Sequence, residues 1–126
     1  GNHDDKKLWK TMIENYPSIC SDYNDNCDTK VKFVFSPYLE ITHKHHKKKT
    51  KFILCHYPIN SWNFQNYESI HLYGHLHGNE SGAVEGKALD VGIDNLYSRF
   101  NIFRPISVED IYHYMLSKPV CNRHGD

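Results

Sequence analysis

The chain lacks any long apolar run, and no stretch approaches the roughly 20 apolar residues that a membrane-spanning helix requires. It also lacks an excess of charge, since 15 basic side chains balance 15 acidic ones. A nucleic-acid binder that acts through bulk charge is therefore disfavoured, although this does not exclude nucleic acid as a partner. No internal repeat or Pro/Gly/Ser-rich linker is present, so the 126 residues predict a single domain without a membrane partner.

Cysteine is scarce and irregularly spaced. The four cysteines, which are Cys20, Cys27, Cys55 and Cys121, fit neither a zinc-knuckle spacing nor a Cys-x-x-Cys redox motif. The N-terminus contains no secretion signal, so we expect reduced thiols and a cytoplasmic location, with a Cys20–Cys27 disulfide as the less favoured alternative. It also lacks an initiator methionine, which predicts a processed product or a fragment of a longer protein.

Apolar residues make up 39% of the chain and aromatic residues 13%, which is enough for a buried core. Hydrophobic periodicity predicts one helix over residues 5–15 and another that begins after Ser107, a candidate N-cap. Strands are predicted over residues 30–35, 38–42, 52–55, 69–73 and 87–91. The polar segment 43–49 is expected to join two of these strands in an antiparallel hairpin. The fold class is therefore α/β, with a mixed or antiparallel sheet portion.

Histidine is abundant, with ten residues, and several histidines follow predicted strands. His56 comes directly after residues 52–55, whereas His75 and His77 come directly after residues 69–73. Loops at strand ends are where open α/β sheets assemble ligand sites. Imidazole suits divalent zinc, manganese and iron, and the Asn2 side chain offers a neutral oxygen ligand. Two-metal hydrolytic sites hold their ions about 3.5–4 Å apart. The sequence therefore indicates metal-assisted hydrolysis, with an unligated histidine as proton donor.

The three motifs together resemble the later motifs of the calcineurin-like metallophosphoesterases. They are Gly1-Asn2-His3-Asp4, the lone His56 within Cys55-His56-Tyr57-Pro58-Ile59, and Gly74-His75-Leu76-His77. The second and third look like those of small bacterial and phage-type members, and the resemblance extends from residue 1 to about residue 108. It implies a four-layer α/β/β/α sandwich, to which this chain contributes one part.

The resemblance also implies a dinuclear metal centre and hydrolysis of a small phosphomonoester or phosphodiester by a metal-bound hydroxide. Asn2, His56 and His75 would ligate one divalent ion and His77 the other, whereas His3 would act as general acid or stabilise the transition state. Manganese, iron, zinc, nickel or cobalt would all suit these ligands.

The chain departs from the family pattern at its start. The family's Asp-x-His and Gly-Asp-x-x-Asp motifs are absent, and neither Asp90 nor Asp94 has the sequence context to replace them. The alternative function is therefore a non-catalytic remnant, a scaffold or a mononuclear metal binder. Loss of the upstream strands would also leave an open sheet edge, which predicts self-association.

Other histidines and aromatic residues have simpler interpretations. The predicted helix would let Asn2 or Asp4 serve only as a cap. Segment 43–49 is interpreted as a solvated hairpin tip rather than a metal or phosphate patch, and His71 as a structural residue. Tyr57 and Trp62 follow His56 closely and are either core residues or part of a substrate pocket.

Overall fold

The computed structural model describes Lys7 and residues 36–120, with the exception of the Glu80 side chain. The chain divides into two units after Ser36, and every element named below belongs to the unit that begins at Pro37. The predicted strand over residues 30–35 lies outside the described residues. The predicted helix over residues 5–15 does too, apart from Lys7, which is helical. The single-domain interpretation stays a prediction.

The described part of the chain is a mixed α/β structure with a four-stranded sheet. The strands are β1 (Tyr38–His45), β2 (Lys48–Cys55), β3 (Ile70–Tyr73) and β4 (Ala88–Asp90), in that spatial order. Strand β1 is antiparallel to β2, whereas β2, β3 and β4 run parallel. Two helices follow, α1 (Ile93–Phe100) and α2 (Val108–Met115), and short 3₁₀ turns occupy Gln65–Tyr67 and Glu80–Gly82. The predicted α/β class is therefore confirmed.

The two sides of the sheet pack against different parts of the chain, because successive strand residues point to opposite faces. One side, here called the helix face, packs against α2 and is built from Phe52, Ile70, Leu89, Ile111 and Met115. The other side, here called the loop face, packs against the connecting segments and is built from Ile53, Trp62, Tyr73, Val84 and Ala88. Each cluster is buried, so both faces of the central strands are covered.

The predicted hairpin is confirmed, but its predicted polar tip over residues 43–49 is too long. Strand pairing continues to His45 opposite Lys48, so the turn consists of His46 and Lys47 alone. His46 adopts the left-handed conformation that so tight a turn demands (φ 53°). Polar side chains do not interrupt a ladder of backbone hydrogen bonds, which is why composition underestimated both strands.

Two histidines of this segment are packed rather than fully solvated. The His45 ring stacks on the Tyr112 ring of α2, with centroids 4.9 Å apart. His43 Nδ1 lies 3.4 Å from the Tyr112 hydroxyl. The interpretation of residues 43–49 as a simple solvated tip is therefore wrong for His43 and His45, which help to attach the hairpin to α2.

The two helices differ in how well the sequence predicts them. The N-cap at Ser107 is confirmed, because its side chain accepts a hydrogen bond from the N–H of Asp110 at 3.1 Å. Helix α1 was not predicted, since no helix was expected between the predicted strand over residues 87–91 and Ser107. Its apolar residues Ile93, Leu96, Tyr97 and Phe100 do recur at helical spacing, but the segment has only eight residues, too few for periodicity alone to identify a helix. No helix among the described residues is long and apolar enough to cross a bilayer.

Candidate metal centre

The predicted site residues lie at one edge of the sheet. Because β2, β3 and β4 are parallel, their carboxyl ends meet at the same edge. His56 follows β2 there, and Gly74 and His75 follow β3. The N–H of Gly74 donates a hydrogen bond to the His56 carbonyl over 3.0 Å, so the two loops are joined at their bases. The sheet itself therefore determines how close the two predicted ligands lie.

Three rings meet at this edge and form what is here called the ring cluster, made of His56, Tyr57 and His75. The centroids of His56 and His75 are 5.2 Å apart, and the rings are roughly perpendicular. The Tyr57 centroid lies 5.0 Å from that of His56 and 4.7 Å from that of His75. Tyr57 is exposed, with 45% of its surface accessible. Of the two aromatic residues considered for a substrate pocket, Tyr57 belongs to the ring cluster and Trp62 to the core.

His75 is held in a strained backbone conformation. The N–H of Leu76 donates to the Gly74 carbonyl over 2.8 Å, and His75, between them, has a φ of 70°. This is a γ-turn with positive φ at its centre, which is rare and strained. Such residues cost on the order of 1–3 kcal/mol and concentrate at functional sites. Gly74 itself does not have positive φ, so the strain falls on the histidine rather than on the glycine before it.

His77 has a different partner. Its φ is 51°, and Gly78 follows with a φ of 81°, so the turn after β3 contains a second left-handed stretch. The His77 Nδ1 atom lies 2.8 Å from Oδ2 of Asp94, in the first turn of α1. A carboxylate accepts from a ring N–H, so Nδ1 carries the proton and Nε2 is left for another partner. Histidine ligands in metal sites are oriented by carboxylates in this manner.

His71 links the site to the sheet interior. It is fully buried, and its Nδ1 lies 3.0 Å from the Ile53 carbonyl. Its Nε2 accepts a hydrogen bond from the N–H of Ile59 at 3.2 Å. Since Ile59 N–H only donates, the ring is neutral with its proton on Nδ1, and burial lowers its pKa. The predicted structural role is confirmed: His71 ties the segment after His56 to β2 and β3.

Asp90, set aside on sequence grounds, ends β4 at the same edge. Its Oδ1 accepts a hydrogen bond from the N–H of Gly92 at 2.9 Å. Its Oδ2 is buried and accepts no hydrogen bond from the described residues. A buried carboxylate oxygen without a partner is costly. Asp90 and Asp94 therefore both contribute to this region, although their sequence context did not indicate it.

Only part of the predicted ligand set is brought together. His56 and His75 are neighbours, whereas Asn2 and His3 lie outside the described residues. His77 is exposed and pairs with Asp94. Within residues 36–120 no three His, Cys, Asp or Glu side chains converge as a metal site would require.

The His56–His75 pair nevertheless fits a shared ion. Two imidazoles that ligate one tetrahedral ion at about 2.1 Å have ring centroids roughly 5 Å apart. The observed separation of 5.2 Å agrees with this value. The two rings are thus spaced as a pair of ligands to one ion would be, and a metal site at this edge stays a prediction.

Comparison of the chain with protein-family models, with curated proteins and with solved structures found no match. The function of the chain is therefore inferred from its residues and their geometry. They define a mixed α/β unit with a histidine-rich edge at the carboxyl ends of three parallel strands.

Proposed function

We propose that this chain belongs to a metal-dependent phosphoesterase that hydrolyses a phosphomonoester or phosphodiester. The observation that carries the proposal is the His56–His75 pair, with rings 5.2 Å apart at the carboxyl edge of the sheet. The strain at His75 supports it, because strain persists where function demands it. The resemblance of three ordered motifs to the calcineurin-like metallophosphoesterases supplies the reaction class, and with it the four-layer sandwich as the proposed complete fold.

The roles of the residues follow that pattern. Asn2, His56 and His75 would hold one divalent ion, and His77 would hold a second. Divalent ions supply Lewis-acid polarisation of the phosphoryl group when bound. His3 would donate a proton to the leaving oxygen, the role of a histidine outside the ligand set.

Two contacts within the chain support these roles. The Asp94 carboxylate orients the His77 ring through a 2.8 Å hydrogen bond and leaves Nε2 as the donor atom. Tyr57, beside both His56 and His75, forms an exposed aromatic wall at the same edge. A phosphoester that reaches the histidines would therefore also contact the Tyr57 ring, which favours a substrate with an apolar or aromatic leaving group.

Manganese binding and hydrolysis, measured together, test the proposal. The chain, alone and joined to any upstream segment of its natural polypeptide, is assayed for bound manganese and for hydrolysis of nitrophenyl phosphate and bis-nitrophenyl phosphate. We expect His75→Ala to lower both quantities, and His3→Ala to lower hydrolysis while manganese is kept. His113→Ala, an exposed histidine on α2, is the control and should change neither. Equal hydrolysis by the wild type and both site variants would refute the proposal.

A second candidate function is a mononuclear metal binder without catalysis. It is favoured by the convergence of only two histidines among the described residues. Manganese bound in proportion to intact His56 and His75, with no hydrolysis by any length of chain, would establish this alternative.

A further inference from the structure

The loop face carries a second surface, away from the ring cluster, and it begins with two opposed lysines. Lys44 of β1 lies directly opposite Lys49 of β2 in the strand register. Both are exposed, and neither forms an ion pair with the described acidic side chains. Like charges directly opposite each other destabilise a strand pair. An anion between these ammonium groups would convert that repulsion into attraction.

Two exposed aromatic rings lie in the β2–β3 connection, within residues 62–67, here called the aromatic loop. Phe64 is 49% exposed and Tyr67 is 79% exposed, with ring centroids 6.2 Å apart. Phe64 and Glu68, on either side of the 3₁₀ turn, are left-handed, with φ of 57° and 65°. Neither is a glycine, so both residues are in a strained backbone conformation, and the loop that contains them exposes two aromatic rings to water.

The aromatic loop also lines a cavity with an unused hydrogen-bonding group. The cavity measures about 280 Å³ and is lined by Trp62, Asn63, Phe64, Gln65, Asn66 and Tyr67. The Oδ1 atom of Asn66 is buried and has no hydrogen-bond partner among the described residues. A buried amide oxygen without a partner costs about 1–3 kcal/mol.

The lysines and the aromatic loop form one continuous surface. Lys51 shares the loop face with Lys44 and Lys49 because alternate strand residues point the same way. Its ammonium lies 4.7 Å from the centroid of the Phe64 ring. Lys51 is also 3.3 Å from the Glu40 carboxylate, which accepts a hydrogen bond from Asn63 as well. Glu40 therefore neutralises Lys51 and fixes the loop, whereas Lys44 and Lys49 keep their charges.

We propose that this surface, formed by Lys44, Lys49 and the aromatic loop, binds single-stranded nucleic acid. The lysines would contact backbone phosphates, and Phe64 and Tyr67 would stack on bases. Stacking platforms beside basic grooves are the usual means of binding single strands. The zero net charge of the chain is no obstacle, because the charge that matters is local.

The surface is distinct from the proposed phosphoesterase centre. His56 lies five positions after Lys51 along a nearly extended chain, or roughly 16 Å at the rise of a strand. That span exceeds a single nucleotide, so a strand of several nucleotides would be needed to reach both. Binding at the surface requires no metal, and it can therefore be tested with any metal removed.

The test is fluorescence anisotropy with a short labelled oligodeoxyadenylate, the full chain and EDTA, between about 50 and 200 mM salt. We expect binding that weakens with salt. Tyr67→Ala should weaken it roughly 5- to 150-fold through loss of one base stack. The double variant Lys44→Gln with Lys49→Gln should lower the slope of log affinity against log salt by about 1.4, since single strands release about 0.7 ions per contact.

Matched control variants test whether binding depends on this surface rather than on any exposed tyrosine or positive charge of the chain. Tyr97→Ala removes an exposed tyrosine on α1, and Arg99→Gln with Lys118→Gln removes two charges that lie against Tyr114. Both should leave affinity within twofold, and thermal unfolding confirms that every variant folds. The proposal would be overturned if the oligonucleotide did not bind, or if the control variants lost as much affinity as the site variants. It would also be overturned if heparin bound with equal affinity and Tyr67→Ala had no effect. None of these outcomes bears on metal-dependent hydrolysis.

Discussion

The Nε2 atom of His71 accepts a hydrogen bond from the N–H of Ile59 over 3.2 Å. This contact, together with the hydrogen bond from the Gly74 N–H to the His56 carbonyl, attaches the segment after β2 to β3, and the segment begins with His56. A neutral, buried imidazole therefore helps to hold a candidate ligand at the sheet edge.

Acid should weaken this attachment and the fold together. Burial lowers the pKa of His71 below its ordinary value near 6.5, so in acid the unfolded chain binds a proton that the folded chain does not. The free energy of unfolding should fall as the pH falls from about 7 through the folded-state pKa, and level off below it. Urea unfolding across this range measures the slope. His71→Gln should be less stable at neutral pH but should show a shallower slope; an unchanged slope would contradict the assignment.

Relief of strain at His75 should stabilise the protein. Glycine adopts the φ of 70° seen there without a steric penalty, so His75→Gly should raise the free energy of unfolding by about 1 kcal/mol. The same change at His113, an exposed helical residue, should lower it by about 0.5 kcal/mol. Denaturant midpoints of the two variants provide the measurement. A loss of stability in His75→Gly would mean that ring contacts outweigh the backbone strain.

Removal of the carboxylate behind His77 should weaken manganese binding. A neutral side-chain amide would not hold the ring as the Asp94 carboxylate does. Loss of such a partner typically costs about 10- to 100-fold in metal affinity, and we expect Asp94→Asn to lower the affinity by a factor in this range. Asp110→Asn is the matched control, since Asp110 also lies in the first turn of a helix but pairs with Arg104. Titration calorimetry with manganese compares the two. Equal affinities would remove His77 from the proposed ligand set.

The cap of α2 should be worth a measurable share of stability. Ser107→Ala removes the acceptor for the N–H of Asp110 and should cost about 1 kcal/mol. Ser117→Ala, at an exposed serine after the helix, should cost less than about 0.5 kcal/mol. Thermal unfolding distinguishes the two, and similar effects would argue that α2 is held by its core contacts alone.

Sequence patterns predicted the elements that have a strong local signal. The strands predicted over residues 38–42, 52–55, 69–73 and 87–91 correspond to parts of β1 and β2 and to β3 and β4, and a serine before an apolar face located α2. Helix α1 was missed although Ile93, Leu96, Tyr97 and Phe100 recur at helical spacing, because eight residues are too few for periodicity alone to identify a helix. The extension of β1 to His45 was not predicted either, because it depends on backbone pairing and on the Tyr112 ring, which is distant in sequence.

The candidate site was predictable in its residues but not in its geometry. Motif order indicated His56, His75 and His77. The pairing of His77 with Asp94 joins residues far apart in sequence, and no local pattern encodes it. The unpartnered oxygen of Asp90 and the amide of Asn66 are properties of burial, which appear only when the chain is folded.

The tautomer of His71 also provides an internal probe of local opening. The Nδ1 proton points at the Ile53 carbonyl inside the sheet, on a ring with no surface exposed to water. Solvent can replace that proton when the connecting segment that covers the ring moves away, since the Ile59 N–H donates to the ring and Trp62 packs against it. One slowly exchanging imidazole resonance would then report on opening of the segment that begins with His56.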